Sequence, residues 1–202
     1  MPAPAPALQA SWGDETQRVF ARLMAHAAGA GNDGAFAAMI ATRAGGGGVL
    51  PPWLGLEPAA FRCLLAHHFP GCADTRFMRL SGVRAGLTTA PEPRGEERDE
   101  LVRLMLMHKT GESPSEVWMA HVVAAGCMGS DHLWEDLGLR DRGQLTGLMR
   151  RNFASLAALN VRDMKWKRFL YKQLCEAEGI YTCRSPSCEV CRDYHVCFGP
   201  EH

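Results

Sequence analysis

Almost nowhere along this chain do apolar and polar residues alternate with period two, and β-branched residues are scarce. A half-buried strand needs that alternation, because successive side chains point to opposite faces of a sheet. Apolar residues recur instead at spacings of three and four, the repeat of one helix face. The chain is therefore expected to be all-α: a helical, bundle-like domain with a cysteine-rich, metal-binding loop at its C-terminal end. Its 202 residues suffice for one domain with a real core. The expected divisions are a flexible Pro/Ala-rich tail over 1–10, a helical domain over 11–180 with an exposed linker at about 84–96, and the loop over 181–202.

Local signals place the helices. Residues 11–28 read as a first helix with Phe20, Leu23 and Met24 on one face, and 34–43 as a second that ends at Gly45–Gly48. The run LPPWLGL makes a turn, and 57–68 is a third helix stopped by Phe69-Pro70-Gly71. Residues 97–108 form an apolar helix carrying Leu101, Leu104, Met105 and, depending on phase, Leu106 or Met107. Ser113-Pro114, with Glu116 three positions after the serine, is a helix start, and its body runs through Trp118, Val122 and Val123 to about Gly126. Ser130 or Asp131 is expected to cap a short helix over HLWEDL. Residues 142–153 form another, and Asn160 is expected to cap a last one that runs to about 177.

The chemistry is concentrated in CRSPSCEVCRDYHVC. Cys183, Cys188, Cys191 and Cys197 stand in the spacing C-x4-C-x2-C-x5-C. Thiolates are soft ligands that select iron–sulfur clusters, zinc or copper(I). The first three repeat the C-x4-C-x2-C run of plant-type ferredoxins, while the fourth follows after only five residues. Structural zinc sites favour two C-x2-C pairs or Cys/His alternation, and only one such pair is present. An iron–sulfur type cluster, a zinc site and plain reactive cysteines therefore all remain open on spacing alone.

In the last helix, Trp166, Phe169, Leu170 and Leu174 share an arc of about 140° that should be core. Lys165, Arg168 and Lys172 form a neighbouring basic stripe leading to the cysteines, where positive charge would offset thiolate charge; a solvated face explains it equally well. Cys175 is either a spare ligand or a half-buried thiol. Cys127, His132, Glu135 and Asp136 can be read as further metal ligands, or more simply as a helix capped by Asp131 with Glu135 and Asp136 facing water. His195 is a candidate ligand or an outer hydrogen-bond partner of the cysteines. Cys63 and Cys72 read as ordinary core or surface thiols, His67-His68 as a helix end, and Met105, Met107, Met119 and Met128 as core filler. Gly45–Gly48 lacks the Lys-Ser/Thr of a phosphate loop, and no serine–histidine–acid set stands out.

Lys plus Arg and Asp plus Glu number 22 each, so no global field favours nucleic acid or a membrane surface. The start MPAPAPALQASWG has neither a basic nor an apolar stretch of the secretory type, and no apolar run is long enough to span a bilayer. A cytoplasmic protein is expected, where clustered cysteines more often bind metal than form disulfides.

The segments MKWKRFLYKQLC (164–175), C-x4-C-x2-C-x5-CFG (183–199) and WMAHVVAAGCMGSDHLWEDLGLRDR (118–142) closely resemble the NifQ family of nitrogen-fixation accessory proteins, with weaker likeness around LPPWLGL and HHFPG. The resemblance implies a molybdenum–iron–sulfur protein whose cluster ligands are Cys183, Cys188, Cys191 and Cys197. It implies a donor that supplies molybdenum for the iron–molybdenum cofactor of nitrogenase, working with the cofactor scaffold complex, the nitrogenase iron protein and molybdate. Such a protein is a carrier rather than a turnover enzyme. The rival readings are a zinc-stabilised helical interaction module of a metallocluster assembly pathway and an iron–sulfur electron-transfer protein.

Overall fold

The structure, a computed structural model, describes residues 12–72, 94–177 and 179. All regular structure among these residues is helical. The order is α1 (Asp14–Met24), α2 (Asp33–Ala44), a 3-10 turn (Pro52–Gly55), α3 (Pro58–His68), α4 (Gly95–Met107), α5 (Ser115–Cys127), α6 (Leu133–Asp136), α7 (Arg142–Asn152), α8 (Ala154–Leu159) and α9 (Trp166–Ala177). No helix is long and apolar enough to cross a membrane among these residues.

Helix α5 lies at the centre. Met119, Ala120, Val122, Val123, Ala124 and Cys127 have no exposed surface, and α5 packs on α3, α4, α6 and the 3-10 turn. It is apolar around most of its circumference, as a helix enclosed by others must be. Helix α2 is built the same way from small residues: Ala35, Ala37, Ala38 and Ala41 are buried with Phe36, Met39 and Ile40. These alanines let α1 approach closely, and Thr16 of α1 leaves no room for a side chain at Gly45.

A helix end inside a protein must find partners for its first N–H groups. At the start of α5 the Ser115 N–H donates to Ser113 Oγ (3.2 Å), and the N–H groups of Glu116 and Val117 donate to the carbonyls of Ser113 and Pro114 (3.2 Å each). Side chains satisfy the turn that leads into it. The Glu116 carboxylate accepts from the backbone N–H groups of Gly111 (2.9 Å), Glu112 (2.9 Å) and Ser113 (3.0 Å), and from the Thr110 hydroxyl (2.6 Å). Beside it, Asn32 Nδ2 donates to Ser115 Oγ (3.0 Å) and to Asn152 Oδ1 (2.7 Å), and Asn152 Nδ2 donates back to Asn32 Oδ1 (3.1 Å). All four of Asn32, Ser115, Glu116 and Asn152 are buried. The expected pairing of Ser113 with Glu116 is present, though regular helix begins two residues later, at Ser115.

Several expected boundaries move. Helix α1 spans Asp14–Met24, not 11–28; Val19 and Leu23 are its buried apolar residues, Phe20 packs on Trp12 with ring centroids 5.1 Å apart, and Met24 is exposed. Arg94–Glu96, expected in the linker, belong to the start of α4, with Arg94 as N-cap. On α4 the phase selects Leu106, since Met107 is 72% exposed and is not core filler. The stretch after Asn152 forms an additional helix, α8. Asn160 closes α8 rather than opening the last helix: its side chain holds both Met164 N–H and Met164 C=O at 2.8 Å, and α9 starts at Trp166. The buried arc of α9 is as expected, with Trp166, Phe169, Leu170 and Leu174 in the core. The tail, most of the linker and the cysteine loop lie outside the described residues.

The Glu116 network makes a pH-dependent prediction. Burial alone would push this carboxyl up, but the bonds from Thr110, Gly111, Ser113 and Glu112 outweigh it and hold the carboxyl below the usual range. Its contribution is therefore fully present above the unfolded value of about 4.3 and is lost as pH falls through the lower folded value. Glu116→Gln is expected to cost on the order of 2 kcal/mol at pH 7, a melting-temperature drop of about 4–8 °C for a chain of this size. Thermal melts from pH 7 to pH 3 should show the gap between variant and parent narrowing on the acid side.

Candidate metal centre

Helix α9 is the element that leads to Cys183, Cys188, Cys191 and Cys197, which together with His195 lie outside the described residues. Among the described residues, no three His, Cys, Asp or Glu side chains are grouped so as to hold a metal ion. The two cysteines that sequence reasoning set beside the loop, Cys127 and Cys175, are both buried, and they belong to the packed body rather than to its surface. Burial pushes the Cys127 thiol up to about 12, so it stays protonated at neutral pH and is a poor ligand where it stands.

The basic stripe on α9 has a different composition from the one expected. Lys172 is exposed and pairs with Glu176 one turn later at 3.0 Å, while Lys165 and Arg168 are half-buried. The lysine with structural consequence is Lys167, outside that stripe. Its ammonium donates to the Gly129 carbonyl (3.0 Å), to the Asp131 carbonyl (2.7 Å) and to the carboxylate of Asp136. Asp136 does not face water; its side chain is 1% exposed. Burial raises its carboxyl pKa, against the lowering effect of Lys167. The α6 cap also differs: His132, rather than Ser130 or Asp131, is the N-cap residue, and exposed Glu135 reaches back to its N–H at 3.1 Å.

One turn further along α9, Tyr171 is fully buried and bonded to Arg94 Nη2 at 2.6 Å. The same guanidinium grips Glu97 (2.9 and 2.6 Å) and the Met128 carbonyl (3.1 Å). Burial and the bond to Glu97 raise the Tyr171 hydroxyl pKa far above its usual value, so it remains a donor. Lys167 and Tyr171 thus hold α9 against the 128–136 turn and the start of α4. No local signal in the sequence distinguished Lys167 from Lys165 or Arg168; only their partners do.

Elsewhere His68 ends α3, as expected, but is buried: its Nδ1–H donates to Asp33 Oδ1 at 2.6 Å, and Asp33 Oδ2 takes the N–H groups of Gly29 and Ala30 at 2.8 Å. Burial lowers the His68 pKa, so the ring is neutral and ties α3 to the α2 start. Cys63 is exposed, and Cys72, Met105 and Met119 are buried.

The NifQ family model matches residues 35–199, which takes in all but the first two residues of α2, the helices from α3 to α9 and all four clustered cysteines. The chain belongs to the NifQ family, a family of nitrogen-fixation proteins. Protein NifQ of Azotobacter vinelandii is 46% identical over 156 residues, covering 75% of this chain and 80% of that one. The NifQ homolog of Sinorhizobium fredii is 38% identical, covering 72% of this chain and 60% of its own length, and protein NifQ of Rhodobacter capsulatus is 36% identical, covering 55% and 62%. No solved structure matches the chain.

Placement of Cys127 in the core makes a direct prediction. Cys127→Ala is expected to leave whatever metal the protein binds unchanged while lowering stability, by about 1–2 kcal/mol for loss of a small buried side chain. Metal analysis beside a thermal melt checks both; loss of metal in a folded variant would restore Cys127 as a ligand.

Proposed function

We propose that this chain is a donor protein which carries a molybdenum–iron–sulfur cluster on Cys183, Cys188, Cys191 and Cys197 and supplies its molybdenum for synthesis of the nitrogenase iron–molybdenum cofactor. The observation that supports this reading best is the NifQ match running through the whole C-x4-C-x2-C-x5-C segment. Three irons take one thiolate each, which leaves a fourth sulfur for the molybdenum corner or for release during transfer. The cluster is cargo in this reading, bound firmly enough to be carried and loosely enough to be handed on, so the chain turns over no organic substrate.

The partners follow from that role. Molybdate is the source of the metal, and the cofactor scaffold complex and the nitrogenase iron protein are the recipients, all in the cytoplasm. The described body supports the reading by contrast: of its own cysteines all but Cys63 are buried, and no three of its His, Cys, Asp or Glu side chains are grouped to hold a metal. That leaves the clustered thiols as the soft donor set of this chain.

The test is anaerobic isolation followed by iron, molybdenum and sulfide counts with electron paramagnetic resonance. The parent protein is expected to be brown and to hold molybdenum with iron. Replacing any one of the four cysteines by alanine should weaken metal retention by at least about tenfold, the loss that even residues supporting a ligand produce. A colourless protein holding one zinc, or unchanged iron and molybdenum in all four variants, would falsify the donor reading.

A further inference from the structure

We propose that Lys167, Asp136, Arg94 and Tyr171 are positioning residues that set the attitude of α9, and through it how firmly the cysteines beyond α9 retain their cargo. The inference rests on the donor reading above, and its observations are independent of that reading. Three acceptors meet the Lys167 ammonium, and all belong to the 129–136 turn: the Gly129 and Asp131 carbonyls and the Asp136 carboxylate. Asp136 is buried. Such a pair is a poor way to gain stability, since apolar residues of like volume do as well or better. What it supplies is direction: an ammonium with three fixed acceptors constrains the placement of the helix, as does the bond from Trp166 Nε1–H to Thr146 Oγ1 (3.0 Å) at its start, whereas apolar contact through Phe169, Leu170 and Leu174 permits sliding.

A second node reinforces the first. Arg94 joins Tyr171 of α9 to Glu97 of α4 and to the Met128 carbonyl, at the entry to the same turn. The turn is also shaped around Asp136: a Cβ at Gly129 would stand 2.5 Å from its carboxylate atoms, so only glycine leaves the acid its place.

The leverage is geometric. The nodes stand one turn apart, about 6 Å along the axis, and Ala177 lies about 15 Å beyond Lys167. A slip of about 1 Å at either node becomes roughly 1.5–2.5 Å at the helix end, six residues before Cys183. Metal ligands must hold their places to about 0.5 Å. The clamp therefore matters for the cysteines through the helix that leads to them.

The test uses the full chain, reconstituted without oxygen from iron, sulfide and molybdate. Readouts are the rate at which a ferrous chelator strips the iron and the paramagnetic resonance line shape. Lys167→Met, Tyr171→Phe and Gly129→Ala are expected to keep the helical circular dichroism yet release iron about tenfold faster, with a broadened signal. Removing Lys167 alone strands a buried acid, so the double variant Asp136→Asn with Lys167→Met, which removes both charges, guards against misfolding and should also release fast. If the folded double variant and Tyr171→Phe both release iron at the parent rate with the parent line shape, the inference is overturned and the donor reading stands. If the parent itself takes up no cluster, the donor reading falls and takes the inference with it.

Discussion

The architecture depends on burying the start of α5. Peptide groups that have left water must be bonded to something, both in the first turn of a helix and in the chain that enters it. The Ser113 hydroxyl and carbonyl take the first two N–H groups of the helix, Glu116 folds back over the preceding turn and takes three backbone N–H groups and a hydroxyl, and the Ser115 hydroxyl is met by Asn32. With that end satisfied, α5 can be apolar on nearly every side and can accept α3, α4, α6 and the 3-10 turn around it. The same nodes fix α2 and α7, because Asn32 and Asn152 stand at their start and end.

The 3-10 turn shows how tightly this centre is packed. Trp53, Leu54 and Gly55 all have positive φ, a left-handed run that only close confinement sustains. Gly55 sits where a Cβ would stand 2.9 Å from that of Ala125 on α5. Strain in the LPPWLGL segment is thus the counterpart of letting a loop approach the central helix.

Much of the fold was legible in the residue pattern. The helical class, the turn at LPPWLGL, the buried arc of α9 and the Ser113–Glu116 pairing all follow from local rules, and each is present. Local rules failed where the deciding partner is distant in sequence. Asn160 has the side chain of a helix start, yet it folds onto Met164 and closes α8. Asp136 belongs to a polar run that reads as solvated, and only Lys167, on another helix, accounts for its burial. Of the candidate metal centre, the four cysteines and their spacing stand out in the sequence alone, because four thiols within fifteen residues need no tertiary information to be noticed, and they lie outside the described residues. The seating of α9 was not legible, because Lys165, Lys167 and Arg168 are alike until their neighbours are known.

The bond between Asn32 and Asn152 has a consequence for the order of events during synthesis. Its two ends are 120 positions apart, and Ser115, the other partner of Asn32, is 83 positions away. Helix α2 can form early on the ribosome, but its polar end has no native partners until α5 and α7 have emerged, so closure of the core is a late, non-local step. The clustered cysteines are translated soon after Asn152. The four clustered thiols of a nascent chain therefore leave the ribosome at almost the same moment as its core closes.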